Sequence, residues 1–133
     1  MKALVIDDNS SVRIFVERVL REAGYETATA KDGVAAQHHI LKDGAPDLVV
    51  TDESMPRMSG HEFAHWLHTS FPAVKVLFLT GYVEQTERIA GTSWERVGYL
   101  EKPCTVRGLL QAVSLLMFRR LDSPAASRTS AAS

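Results

Sequence analysis

Five short apolar runs recur along this chain, and between them the apolar residues change to helical spacing. That alternation constrains the fold more than any other feature. A brief, continuous apolar run suits a strand buried on both faces, and a helical stretch between two such runs suits a crossover. Units of this kind build a parallel sheet through right-handed connections. The runs fall at 3–6, 26–30, 47–51, 75–79 and 99–100, and the helical patterns at 11–23, 33–43, 61–69, 84–90 and 105–120. In the first helix Val12, Val16, Val19, Leu20 and Ala23 share one face, while Arg13, Glu17 and Arg21 take the opposite side and Gly24 is the stop. The helix at 84–90 is weaker and is broken by Gly91, with Trp94 following. The expected fold is α/β, a five-stranded doubly wound parallel sheet with its site at the C-terminal strand ends.

The length of 133 residues is enough for one domain with a proper core. Residues 1–121 are expected to form it. From Asp122 the chain is Ala-, Ser- and Pro-rich without apolar periodicity, so 122–133 reads as a disordered tail or linker. With 15 basic and 16 acidic residues the net charge is −1, which argues against nucleic-acid binding through bulk electrostatics. The apolar run before Asp7 is too short for a signal peptide or a membrane span. Cys104 is the single cysteine, so no intramolecular disulfide can form, and a reducing cytoplasm is the expected compartment. Cys104 itself reads as a small packing residue.

Polar residues gather where the runs end. Asp7 and Asp8 follow the first, Asp52 the third, Thr80 and Gly81 the fourth, and Lys102 the fifth. On parallel strands these side chains would converge. Crowded carboxylates repel unless a cation shares the site, and hard oxygen ligands suit Mg²⁺, or Mn²⁺. Lys102, the Thr80 hydroxyl and the Gly81 N–H would add positive charge and donors. Phosphoryl transfer needs such a set, because negative charge spreads over the oxygens of the transferring group. Asp52, on a central strand and followed by a loop, is the expected nucleophile. One such acid is commonplace as a helix cap or turn residue; the whole set at successive strand ends is not.

The segments that carry these residues resemble the receiver domain of two-component response regulators. The matching pieces are Val5-Ile6-Asp7-Asp8-Asn9, Lys31-Asp32-Gly33, Asp52-Glu53-Ser54-Met55-Pro56-Arg57-Met58-Ser59-Gly60, Leu79-Thr80-Gly81-Tyr82 and Tyr99-Leu100-Glu101-Lys102-Pro103. The resemblance covers roughly residues 2 to 120 and implies a flavodoxin-like (βα)5 domain with strand order 2-1-3-4-5. It implies that Asp52 accepts a phosphoryl group from a phosphohistidine on a histidine kinase or phosphotransfer protein. Asp8, Asp52 and the Ser54 carbonyl would bind Mg²⁺, with Asp7 acting partly through water. Lys102 would contact the phosphoryl group, Thr80 would turn toward it and Tyr99 would move inward. The surface of the fourth helix, fifth strand and fifth helix would then signal to a downstream protein or a fused output domain. The resemblance also implies a cis Lys102–Pro103 peptide and a donor-docking contact made by Val12, Phe15 and Pro103, although Val12 and Phe15 equally suit plain core packing. Tyr82 is expected to shield the phosphoaspartate from water. The domain is expected to be a signalling switch rather than an enzyme, with no membrane contact. It is expected to be a monomer, with at most weak dimerisation on phosphorylation.

His61-Glu62-Phe63-Ala64-His65 matches the His-Glu-x-x-His zinc protease pattern, and His68 extends its face. It occupies the third-helix slot of a receiver pattern in a chain with no evident cleft, so a protease reading is set aside. His38 and His39 read as helix surface. A receiver-like module that binds partners without phosphorylation would typically lack Asp52, Lys102 or one of the paired acids, and this chain has them all.

Overall fold

The structure is a computed structural model that describes residues 1–81, 97–102 and 104–118. Its strands are β1 (Lys2–Ile6), β2 (Glu26–Ala30), β3 (Leu48–Asp52), β4 (Lys75–Thr80) and β5 (Val97–Glu101). The helices are α1 (Ser10–Glu22), α2 (Gly33–Asp43), α3 (Gly60–Ser70) and α4 (Val106–Phe118). All strand pairs are parallel, in the order β2-β1-β3-β4-β5 expected from the resemblance. The weak helix at 84–90, Tyr82, Gly91, Trp94, Pro103 with its peptide bond, the end of the last helix and the tail at 122–133 lie outside the described residues.

Strand alternation divides the core into two layers. Leu4, Ile6, Val49, Val76 and Phe78 point to one face of the sheet, where Ala36 and Ile40 of α2 and Phe63, Ala64 and Leu67 of α3 cover them. Ala3, Val5, Leu48, Val50, Leu77 and Leu79 point to the other, against Val16, Val19 and Leu20 of α1 and Leu109 and Val113 of α4. Every residue of β3 is buried, as a central strand with helices on both faces requires. Val12, Phe15 and Cys104 are partly buried against the second layer, which matches their packing reading.

Local signals fix the helix starts. Asn9 caps α1 by accepting from the Ser11 and Val12 amides. Asp32 caps α2 through the Ala35 amide at 2.8 Å. Ser59 and Glu62 form a capping box on α3. At the other end of the sheet the Lys75 ammonium donates to the carbonyls of Leu116 and Met117, at 3.1 and 3.3 Å, so it ties β4 to the C-terminus of α4.

β5 is longer than the two residues expected. Gly98 hides its start, since glycine is a poor strand former. A Cβ there would stand in ordinary van der Waals contact with Leu77 of β4 and Leu116 of α4, so the strand runs through this position without a clash. His38 is exposed and His39 faces Asp43 at 3.3 Å, a surface pair as expected. Phe63 is fully buried between α3 and the sheet. Phe63→Ala should cost about 3–5 kcal/mol, read as a lower urea midpoint with an unchanged slope.

Candidate functional site

Register brings the polar strand ends together. Ile6 pairs with Thr51, Asp52 with Leu79 and Thr80 with Glu101, so Asp7, Asp52, Thr80 and Lys102 emerge along one edge of the sheet. Backbone bonds extend the pairing past the strands: the Glu53 amide donates to the Leu79 carbonyl at 3.2 Å, and the Lys102 amide to the Thr80 carbonyl at 2.7 Å. Carboxylate oxygens of Asp7, Asp8 and Asp52 lie within 4.8 Å of one another. The Lys102 ammonium stands 3.3 Å from Asp7 Oδ2 and 3.3 Å from Asp52 Oδ1.

These groups differ in exposure. Asp7, Asp52 and Thr80 are buried, whereas Asp8 is exposed. Asp7 Oδ1 accepts from the Asn9 amide at 2.9 Å. Asp7 Oδ2 is buried with no hydrogen bond, and its contact with Lys102 is an ion pair without hydrogen-bond geometry. Asp52 Oδ1 also accepts a long bond of 3.3 Å from the Ser54 amide. Burial pushes the Asp52 carboxyl above its usual range. Lys102 opposes that shift, Asp7 adds to it, and the Ser54 amide is too weak to reverse it. Burial would lower the Lys102 ammonium, but Asp52 and Asp7 outweigh it and the group titrates above its usual value.

The remaining expected site residues are close by. A Cβ on Gly81 would meet no described atom within 4 Å. Tyr99 is half-buried and stacks on Phe78, its cross-strand partner, with ring centroids 5.8 Å apart and planes 13° from parallel. Phe78 in turn meets the edge of His61, with centroids at 6.5 Å.

Residues 3–114 match the response regulator receiver domain family. The chain belongs to that family. It is 34% identical over 126 residues to the response regulator MprA of Mycobacterium leprae (strain TN), covering 95% of this chain and 55% of that protein. It is 36% identical over 119 residues to MprA of Mycobacterium avium (strain 104), covering 90% of this chain and 52% of that protein. The chain therefore spans about half the length of these relatives. Among solved structures, the chemotaxis protein CheY4 of Vibrio cholerae superposes with a TM-score of 0.77 at 31% identity, covering 86% of this chain and 97% of CheY4.

Receiver domains bind Mg²⁺ in an acidic pocket, and the residues present here fit such an ion. Three carboxylates face a single ammonium, and one buried carboxylate oxygen lacks a hydrogen bond. A hard divalent cation would meet both demands. The His-Glu-x-x-His segment makes no comparable centre: the three aspartates are the only cluster of three or more metal-ligating residues among the described residues. It does lie nearer the strand ends than its helix slot suggests, since His61 and His65 line an open hollow with Glu53.

Two arginine contacts at the loops around these strand ends were not legible as such. Arg13 was expected on the outer side of α1, yet its guanidinium reaches back to the Asp7 carbonyl at 2.6 Å. Arg57 holds Asp32 from within the loop after Asp52, with Nη2 to Oδ2 at 3.0 Å. Its backbone is left-handed, φ 70°, at a cost of order 1 kcal/mol for a side-chain-bearing residue. An arginine outside the regular elements carries no sequence signal of its partner.

A carboxyl titrating higher in the folded than in the unfolded chain adds stability below its unfolded pKa, and that stability is lost as pH rises through the folded value. Metal-free Asp52→Asn should therefore unfold at a higher midpoint than the parent at neutral pH. The gap should close as pH falls through the carboxylate range and the parent's Asp52 takes up its proton. Denaturation in a chelator across that range checks both points; a gap that widens toward acid would contradict the assignment.

Proposed function

We propose that this receiver domain takes a phosphoryl group onto Asp52 from a phosphohistidine on a histidine kinase or histidine phosphotransfer protein. The reading rests above all on the buried Asp52 carboxylate at a strand end, with two further acids and the Lys102 ammonium around it. An Asp52 oxygen attacks phosphorus, the P–N bond of the donor breaks, and the imidazole leaves with the electron pair and takes up a proton. Later attack by water on phosphorus returns Asp52 and releases inorganic phosphate.

Asp7, Asp8, Asp52 and the Ser54 carbonyl would hold Mg²⁺, or Mn²⁺. The ion supplies charge neutralisation for the phosphoryl oxygens. Lys102 neutralises the acids before transfer and pairs with the phosphoryl group after it. The Thr80 hydroxyl and the Gly81 amide stand at the end of β4, where they can donate to the new oxygens. Once Thr80 turns inward, Tyr99 can follow from its stack on Phe78. That step converts the local change in charge into a side-chain rearrangement at the surface carrying β5 and α4. A downstream protein or a fused output domain reads that surface. Among the described residues no helix is long and apolar enough to cross a membrane, and the bacterial relatives are response regulators, so we place the domain in the cytoplasm.

Intact mass after incubation with acetyl phosphate tests the reading. The parent should gain one phosphoryl group with Mg²⁺ and none in a chelator, and Asp52→Asn should gain none. Lys102→Met should phosphorylate roughly 100-fold more slowly, as loss of one charged group facing the transition state implies. Modification that persists in Asp52→Asn would overturn the assignment.

A further inference from the structure

The loop of residues 53–59 carries Ser54, whose amide already bonds Asp52 Oδ1. Its base is fixed: the Gly60 amide donates to the Glu53 carbonyl at 2.9 Å, and a methyl group on Gly60 would run into the Asp52 carbonyl. Its far side is docked on the start of α2. Met58 lies over Gly33, where a Cβ would come within 2.7 Å of the thioether sulfur. Arg57 reaches Asp32, a buried carboxylate whose Oδ1 caps α2 while Oδ2 receives the guanidinium. Consecutive loop residues thus grip consecutive residues of the neighbouring connection.

The Arg57 side chain is 70% exposed, so it contributes little by burial. Arg57 is also the one non-glycine residue with positive φ among the described residues, a backbone state that must be held from outside. The Met58 amide donates to the Pro56 carbonyl at 2.8 Å and closes the turn around Arg57, and the ion pair ties that turn to the neighbouring connection from outside the loop. We propose that Arg57 is a positioning residue, whose ion pair with Asp32 holds the 53–59 loop in the shape that presents the Ser54 backbone to a divalent cation between Asp7, Asp8 and Asp52. This deepens the function proposed above and rests on it. Asp32 makes a ready anchor, because the capping bond from Ala35, and then Arg57 and Lys31, outweigh its burial and keep its carboxyl below the usual range.

Calorimetric titration of the full chain with MgCl₂ tests the strap, alongside unfolding midpoints in a chelator. Arg57→Ala and Asp32→Asn should each weaken Mg²⁺ by about tenfold, the scale seen when a group supporting a metal ligand is lost. The double variant should be no weaker than the worse single. Asn caps a helix as well as Asp, so Asp32→Asn removes the strap and spares α2. Arg57→Gly is the sharper variant, because glycine accepts a left-handed backbone freely. Its metal-free midpoint should hold or rise while its Mg²⁺ affinity falls as in Arg57→Ala, a divergence that a purely structural role does not produce. Arg57→Lys should recover most of the affinity. Variants that bind Mg²⁺ as tightly as the parent, or a double variant whose losses simply add, would overturn the strap alone. A parent that does not bind Mg²⁺ would overturn the cation reading and the strap with it.

Discussion

Three carboxylates held against one ammonium form the constraint around which the rest of the structure is arranged. Left to themselves Asp7, Asp8 and Asp52 would separate, since like charges repel and burial penalises Asp7 and Asp52. They stay together because each is anchored by backbone. Asp7 and Asp52 lie at the ends of neighbouring parallel strands, and a register shift would require unpairing β1 from β3 along its buried length. Lys102 sits where the backbone bond from its amide to the Thr80 carbonyl continues the β4–β5 ladder. The sheet thus supplies, through many modest bonds and two apolar layers, the work needed to hold an unfavourable charge cluster in place.

The same logic explains why the site is only partly neutralised by the protein. One more lysine would quiet the repulsion, but it would fill the place that a divalent cation of the kind receiver domains bind would take. The buried Asp7 oxygen without a hydrogen bond among the described residues is a cost of the same kind. Such departures from full satisfaction concentrate at functional sites and are carried by the stability of the surrounding fold.

Much of this could be read in the sequence because the period changes at each strand end. Val49 and Val50 face opposite layers, and the helices that cover them announce themselves through Val16, Val19 and Leu20 on one side and Phe63, Ala64 and Leu67 on the other. The acids, Thr80 and Lys102 were legible because parallel strands align their ends. What escaped was set by tertiary contact. The start of β5 is masked by Gly98, a poor strand former that pairing with Leu77 of β4 nonetheless carries into the sheet. Arg13 follows the helical period of α1 as an outward residue, yet a flexible side chain can turn back to the Asp7 carbonyl. No periodicity reports where a long side chain ends.

Arg57 shows this limit and its consequence together. Within Met55-Pro56-Arg57-Met58 it looks like a surface residue between two that pack, and by exposure it is one. Its partner Asp32 belongs to another βα connection, 25 residues away. The contact exists because β1 lies between β2 and β3, which brings the loops after β2 and β3 to the same edge of the sheet. An exposed ion pair is worth little to global stability. Here one partner is buried and already fixed as a helix cap, so little order has to be created on that side. The pair acts on a loop of seven residues rather than on the whole fold, and at that scale a modest interaction is enough to select a shape.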